Sequence, residues 1–253
     1  MDLVLLTALG VGGATVFGAV VGVIFKKISH TFSDIVLSFA AGVMLAAAVV
    51  GLVLPSLEYG GGKISIIVTV AGIFAGAACL NLIDKLVPHI HKVAGGSETS
   101  EGNTQRLSKV FLFVSAIAIH NLPEGIAAGV GFGSGDTSQA LIIAGGIALQ
   151  NIPEGMVIIG PMISAGMKPA KAFLIAMLTG VIEVIGTFIG YFAVSVSTAV
   201  LPFALAFAGG TMLYVISDEM IPETHAHGHQ RGATYALLVG FAVMLITDFL
   251  LGG

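Results

Sequence analysis

His120-Asn121-Leu122-Pro123-Glu124-Gly125 and Gln150-Asn151-Ile152-Pro153-Glu154-Gly155 stand thirty positions apart, each in the middle of an apolar run long enough to cross a bilayer. An ionised carboxylate at the centre of a hydrocarbon layer costs roughly 3 kcal/mol or more, so a membrane helix keeps one only where something compensates its charge. A bound cation is the obvious compensation.

The surrounding composition fixes the class. Hydrophobic residues make up 56% of the chain, charged residues only 9%, and the mean hydropathy is +1.03. A soluble domain would carry about 25% charged residues. Thirty-five glycines suit helices that associate in lipid by close backbone approach. The single cysteine, Cys79, excludes an intrachain disulfide, a CxxC zinc knuckle and a thiolate cluster. A net charge of -4 with no basic stripe gives nucleic acid nothing to bind. The Met1-Asp2 start lacks the positive region of a secretory signal, so the first apolar segment is expected to stay as a helix.

A window of about 20 residues predicts an all-α polytopic membrane protein. It forms a single domain over residues 1–253, with eight transmembrane helices near 3–25, 34–57, 63–87, 108–132, 137–163, 170–194, 199–220 and 232–252. Nine of the ten basic residues fall on one side of this arrangement, and only Lys63 falls on the other. Enrichment of Lys and Arg in short cytoplasmic loops then puts both termini outside and the linker 88–107 in the cytoplasm. That linker is small and polar, and its His89 and His91 either sample metal or form a solvated helix end. Gly131-Phe132-Gly133-Ser134-Gly135 reads as a turn, since no strand precedes it and no Gly-Lys-Ser/Thr follows. No P-loop supports coupling to ATP. Helices four and five carry the same motif and run antiparallel, as in an inverted-repeat bundle whose substrate lies on the two-fold axis.

Residues four apart share a helix face, so His120 stacks over Glu124 and Gln150 over Glu154. Asn121 and Asn151 project about 100° round from those pairs. Pro123 and Pro153 each remove an amide donor and clash with the carbonyl four residues earlier, that of Ile119 or Leu149. Helices four and five are therefore expected to be kinked and broken there, with a freed carbonyl lining a polar cavity. Imidazole, carboxylate and amide oxygen without thiolate suit Zn, Fe(II), Mn or Cd(II), zinc foremost. Glu183 in the sixth helix is placed to bridge, and the full set has chemistry for two adjacent ions. Against this, a lone membrane His or Asn is more often an interhelical hydrogen-bond partner, and an isolated Glu is often simply held protonated. Repetition on successive helices favours ligands.

His-Asn-x-Pro-Glu-Gly followed by Gln-Asn-x-Pro-Glu-Gly resembles the signature of the ZIP (Zrt/Irt-like protein) metal transporters in a prokaryotic-type version, and the likeness spans the whole chain. It implies a multi-pass protein of the cell inner membrane that moves divalent metal into the cytoplasm, commonly as a homodimer. Its metal-carrying helices would slide against a static remainder. The metal is then substrate, with no permanent cofactor. Carried over, the family's binuclear centre would use His120, Glu124, Gln150 and Glu154, with Asn121, Asn151 and Glu183 completing the second ion and Met44 of the second helix as a further ligand. Methionine also commonly just fills a membrane core. Asn151 departs from relatives that carry aspartate there, which removes a negative charge from the second position.

Polar residues mark both ends of a route. Glu58 and Asp248 lie at the outer side, where acidic groups gather cations. Asp218, Glu219, Glu223, His225, His227 and His229 cluster at the junction of helices seven and eight, where a departing ion would be received, Glu219 first. Alternating access at a mid-membrane site is the expected mechanism. The alternatives are a membrane-embedded zinc hydrolase, which would need an open coordination position and a separate base, and a metal-gated channel or sensor. His-Glu-x-x-His is absent from the sequence.

Overall fold

The computed structural model describes residues 1–25, 29–86 and 118–251, and all regular structure among them is helical. Helix α1 is Asp2–Phe25, α2 runs His30–Gly60, α3 is Gly62–Leu86 and α4 covers 118–131. Helix α5 is Thr137–Ser164, α6 is Pro169–Val196, α7 runs Leu201–His225 and α8 is Gln230–Leu251. All of these but α4 are long and apolar enough to cross a membrane among the described residues. The expected start of the fourth helix at 108 and the linker with His89 and His91 lie outside the described residues.

Local chemistry explains the ends. Ser29 Oγ caps α2 by accepting the Phe32 amide at 3.2 Å. Asp136 Oδ1 caps α5 by accepting the amides of Ser138 and Gln139 at 2.9 and 3.1 Å. Both satisfy amide donors that a first helical turn otherwise leaves orphaned. The glycine-rich turn after α4 is a short 3-10 segment, Phe132–Ser134, closed by Gly135 at φ 76, a left-handed conformation that favours glycine.

Proline acts differently from the sequence expectation. Helical conformation continues through Pro123 and Pro153, so neither motif interrupts its helix. The irregular turns lie instead in α2 and α7, as π-helical segments at Ala47–Val53 and Ile216–Met220. Each stands just before a proline. Leu54 donates to the Val49 carbonyl ahead of Pro55, and Ile221 donates to the Ile216 carbonyl ahead of Pro222. A proline cannot donate to the carbonyl four residues back, and widening the turn by one residue carries the helix past the gap. For the same reason α7 continues to His225, beyond the expected limit at 220.

Helix pairing is organised by small residues. Helix α2 packs along α8 and α3 along α7, while α1 packs on both α5 and α6. Helices α2 and α7 are alike in that each carries a π turn just before a proline and packs along one partner helix. The motif glycines are among the close approaches. A Cβ on Gly125 would overlap the Glu183 carbonyl oxygen of α6, and one on Gly155 would overlap the Thr15 carbonyl oxygen of α1. Outward faces carry large apolar side chains such as Leu6, Phe74 and Phe249, which suit contact with lipid tails.

Gly155→Ala should lower the melting temperature in detergent, since an added methyl in a packed interface costs about 1–3 kcal/mol. Gly145→Ala, where the methyl meets nothing within 4 Å, should leave it unchanged or raise it. Equal melting temperatures for the two variants would contradict the packing described.

Candidate metal centre

Glu183 anchors the centre. It is fully buried in α6, and its carboxylate accepts from three donors on three other helices. Thr15 Oγ1 of α1 donates to Oε1 at 2.7 Å, and Asn121 Nδ2 of α4 donates to the same oxygen. Asn151 Nδ2 of α5 donates to Oε2 at 2.8 Å and also reaches the Val11 carbonyl at 3.3 Å. The two motif asparagines, on successive helices, thus meet on one carboxylate.

The motif glutamates form a second cluster. Gln150 Nε2 donates to Glu124 Oε1 at 2.9 Å. Glu124, Glu154 and His120 line a cavity of about 500 Å³ that extends along α7 to Asp218, Glu219 and Glu223. His120 Nε2 meets Glu219 Oε1 at 2.7 Å, with the carboxylate accepting from the ring. The cavity therefore joins the central carboxylates to the α7 end of the bundle.

Hydrogen-bond accounting in this region is lopsided. Glu124 Oε2, Gln150 Oε1, Asn121 Oδ1 and Asn151 Oδ1 are all buried with no partner among the described residues. The amide orientations follow from the bonds their nitrogens make, which leaves the oxygens over. Buried polar atoms are paired in the great majority of cases, and four unpaired oxygens in one place make an environment rich in acceptors and poor in donors. No lysine or arginine lies in the motif segments. Such an arrangement has the chemistry to accept a positive ligand. Among the described residues no three His, Cys, Asp or Glu side chains already converge on one point, because amide nitrogens occupy Glu183 and Glu219 holds His120.

The structure divides the remaining sequence candidates. Asp218, Glu219 and Glu223 face the cavity, but the three histidines after them do not gather there. His225 Nδ1 sits 2.8 Å from the Ile221 carbonyl within the last turn of α7, so this residue belongs to the helix. His227 pairs with Asp34, and His229 with Thr31. Glu58 and Asp248 close α2 and α8, which run parallel, so both lie at the end opposite Glu223. Met44 is fully buried in the main apolar core and is not among the residues lining the cavity. Thr15 and the Val11 carbonyl were not anticipated. A lone threonine in an apolar helix gives no sign of a partner 168 positions away.

Fold and centre together define a multi-pass helical integral membrane protein built around buried carboxylates and amides. The chain belongs to the ZIP family: the family model described as ZIP Zinc transporter matches residues 94–248. It is 37% identical over 253 residues to zinc transporter GufA of Myxococcus xanthus, covering 98% of both chains. It is also 37% identical over 246 residues to zinc transporter ZIPB of Bordetella bronchiseptica, covering 94% of this chain and 78% of that one. Similarity reaches zinc transporter ZIP11 of Homo sapiens, at 30% over 323 residues with 95% and 94% covered. Members of this family are transporters rather than enzymes.

Thr15→Val should remove one donor from Glu183 and destabilise the protein by about 1–3 kcal/mol, read as a lower melting temperature. Thr15→Ser should retain most of the wild-type value. A serine variant as unstable as the valine variant would show that the hydroxyl bond to Glu183 is unimportant.

Proposed function

We propose that the protein carries divalent transition-metal cations, zinc foremost, across the cell membrane into the cytoplasm. The observation that carries this reading is the set of four unpaired buried oxygens around Glu124 and Glu183. A single proton would pair at most two of them, as one O–H···O bond. A divalent cation gathers several oxygens at once and offsets the carboxylate charge that makes the site costly in lipid.

The first ion position is formed by Glu124, Glu154, His120 and the Gln150 amide oxygen. Imidazole nitrogen with carboxylate and amide oxygen suits borderline divalent ions. A second position lies between Asn121, Asn151 and Glu183, where the amide nitrogens now on Glu183 must turn away before the oxygens can bind. Asn151 brings no charge, so this second position is the weaker. Met44 enters as a ligand only if α2 shifts toward the cavity.

Direction follows from the side carrying the basic residues. Lys26, Lys27 and Arg231 adjoin the α1–α2 and α7–α8 connections, the end toward which the cavity extends, so that end is cytoplasmic. Release runs from Glu124 and Glu154 past Glu219 and Glu223. His120 alternates between ion and Glu219, and breaking that 2.7 Å contact lets the imidazole turn to an incoming metal. Alternating access closes this cavity and opens the centre toward Glu58 and Asp248.

Zinc uptake into proteoliposomes tests the assignment. Glu124→Ala and His120→Ala should each reduce the initial rate at least tenfold with folding intact, whereas wild-type rates in both variants would overturn it. Zinc affinity should fall at least tenfold between pH 7 and pH 5, because imidazole and carboxylate ligands must release protons to bind metal. Binding isotherms that superimpose across this range would exclude these ligands.

A further inference from the structure

A second polar cluster stands apart from the centre, where the start of α2 meets the turn between α7 and α8. Asp34 is 4% exposed, far more buried than an aspartate near a helix end needs to be. Its Oδ1 lies 3.2 Å from His227 Nδ1, while its Oδ2 is buried without a partner. One turn further along α2, the Ser38 hydroxyl is fully buried and equally unpaired. His30, four residues before Asp34 on the same helix face, has its ring centroid 5.1 Å from that of His227.

These spacings match those of metal ligands. Zinc binds imidazole nitrogen at about 2.0–2.1 Å in a tetrahedral shell, which sets neighbouring ligand atoms about 3.3 Å apart and two bound imidazole centroids about 5 Å apart. The Asp34–His227 contact and the His30–His227 separation fall on those two values. An ion pair and a ring contact have the same spacings, but a shared cation would in addition engage the buried Oδ2, which has no partner among the described residues.

We propose that Asp34, His227 and His30 form a second divalent-cation site at the mouth of the cavity, separate from the transport centre. The ligand set, two imidazoles and one carboxylate with a fourth position open to water, suits zinc-like ions. As placed, the three side chains do not yet point at one atom, and His30, exposed on the first residue of α2, is the one free to turn. Bound metal would tie the start of α2 to the α7–α8 turn. Leu37 of α2 and Ala226 of that turn both line the cavity, so the tie forms beside the route an ion takes out of it.

The test uses the full-length protein in nanodiscs carrying His120→Ala, Glu124→Ala and Glu183→Gln together, a triple variant that disables both central positions. Zinc bound per chain is then measured by equilibrium dialysis and elemental analysis. One equivalent should remain, and adding either Asp34→Asn or His30→Ala should weaken it about tenfold or more, the least expected for loss of a direct ligand. His30→Ala removes an exposed side chain and so guards against a folding defect caused by Asp34→Asn. No zinc on the triple variant, or an equivalent that survives both further substitutions, would overturn the site. The difference in stoichiometry between wild type and the triple variant reports the central positions independently.

Discussion

The structure depends on a surplus of acceptor oxygens at the centre of the bundle, carried on segments that hold no lysine or arginine. Three glutamates, two asparagines and a glutamine converge from α4, α5 and α6 on a region bordered by one imidazole, that of His120, among the described residues. In a hydrocarbon surrounding this arrangement is unstable by itself. The amide nitrogens cover part of the deficit by donating to Glu124 and Glu183, and the oxygens at their other ends are left over. The same amides that quiet the centre in this conformation hold the oxygens that a cation would gather.

Small residues make that convergence possible. Gly125 and Gly155 sit at equivalent places in the two motifs, and each lets its helix press against a backbone carbonyl of a neighbour, Glu183 in one case and Thr15 in the other. Those two neighbours are themselves joined by the Thr15–Glu183 hydrogen bond. The motif glycines therefore set the distance at which the asparagines reach Glu183. In lipid, where helices gain nothing from hiding apolar faces from each other, this close contact and the polar bonds it permits drive association.

Much of this was legible in the sequence, for physical reasons that differ from element to element. A bilayer-length apolar window finds α1, α5 and α6 nearly to the residue, because lipid fixes the length a helix must have. The repeated hexapeptides expose His120, Glu124, Gln150 and Glu154, because charge in an apolar run has few tolerable explanations. Proline was misleading. Loss of an amide shows in the sequence, but whether the helix breaks, continues or widens by one residue depends on neighbouring packing, and Pro55 and Pro222 widen α2 and α7 where Pro123 and Pro153 leave the helical conformation unbroken. Thr15, and the pairing of Asp34 with His227, depend on contacts 168 and 193 residues apart in sequence. No local pattern encodes them.

Anomalous diffraction at the zinc edge, on crystals grown with saturating zinc, examines the central claim most directly, because it locates the ion without assuming its ligands. The expected map has its strongest peak within about 2.0–2.2 Å of donor atoms from Glu124, Glu154 and His120. A map with no peak between α4 and α5, from protein that still moves zinc in proteoliposomes, would show that the acceptor surplus serves some other purpose.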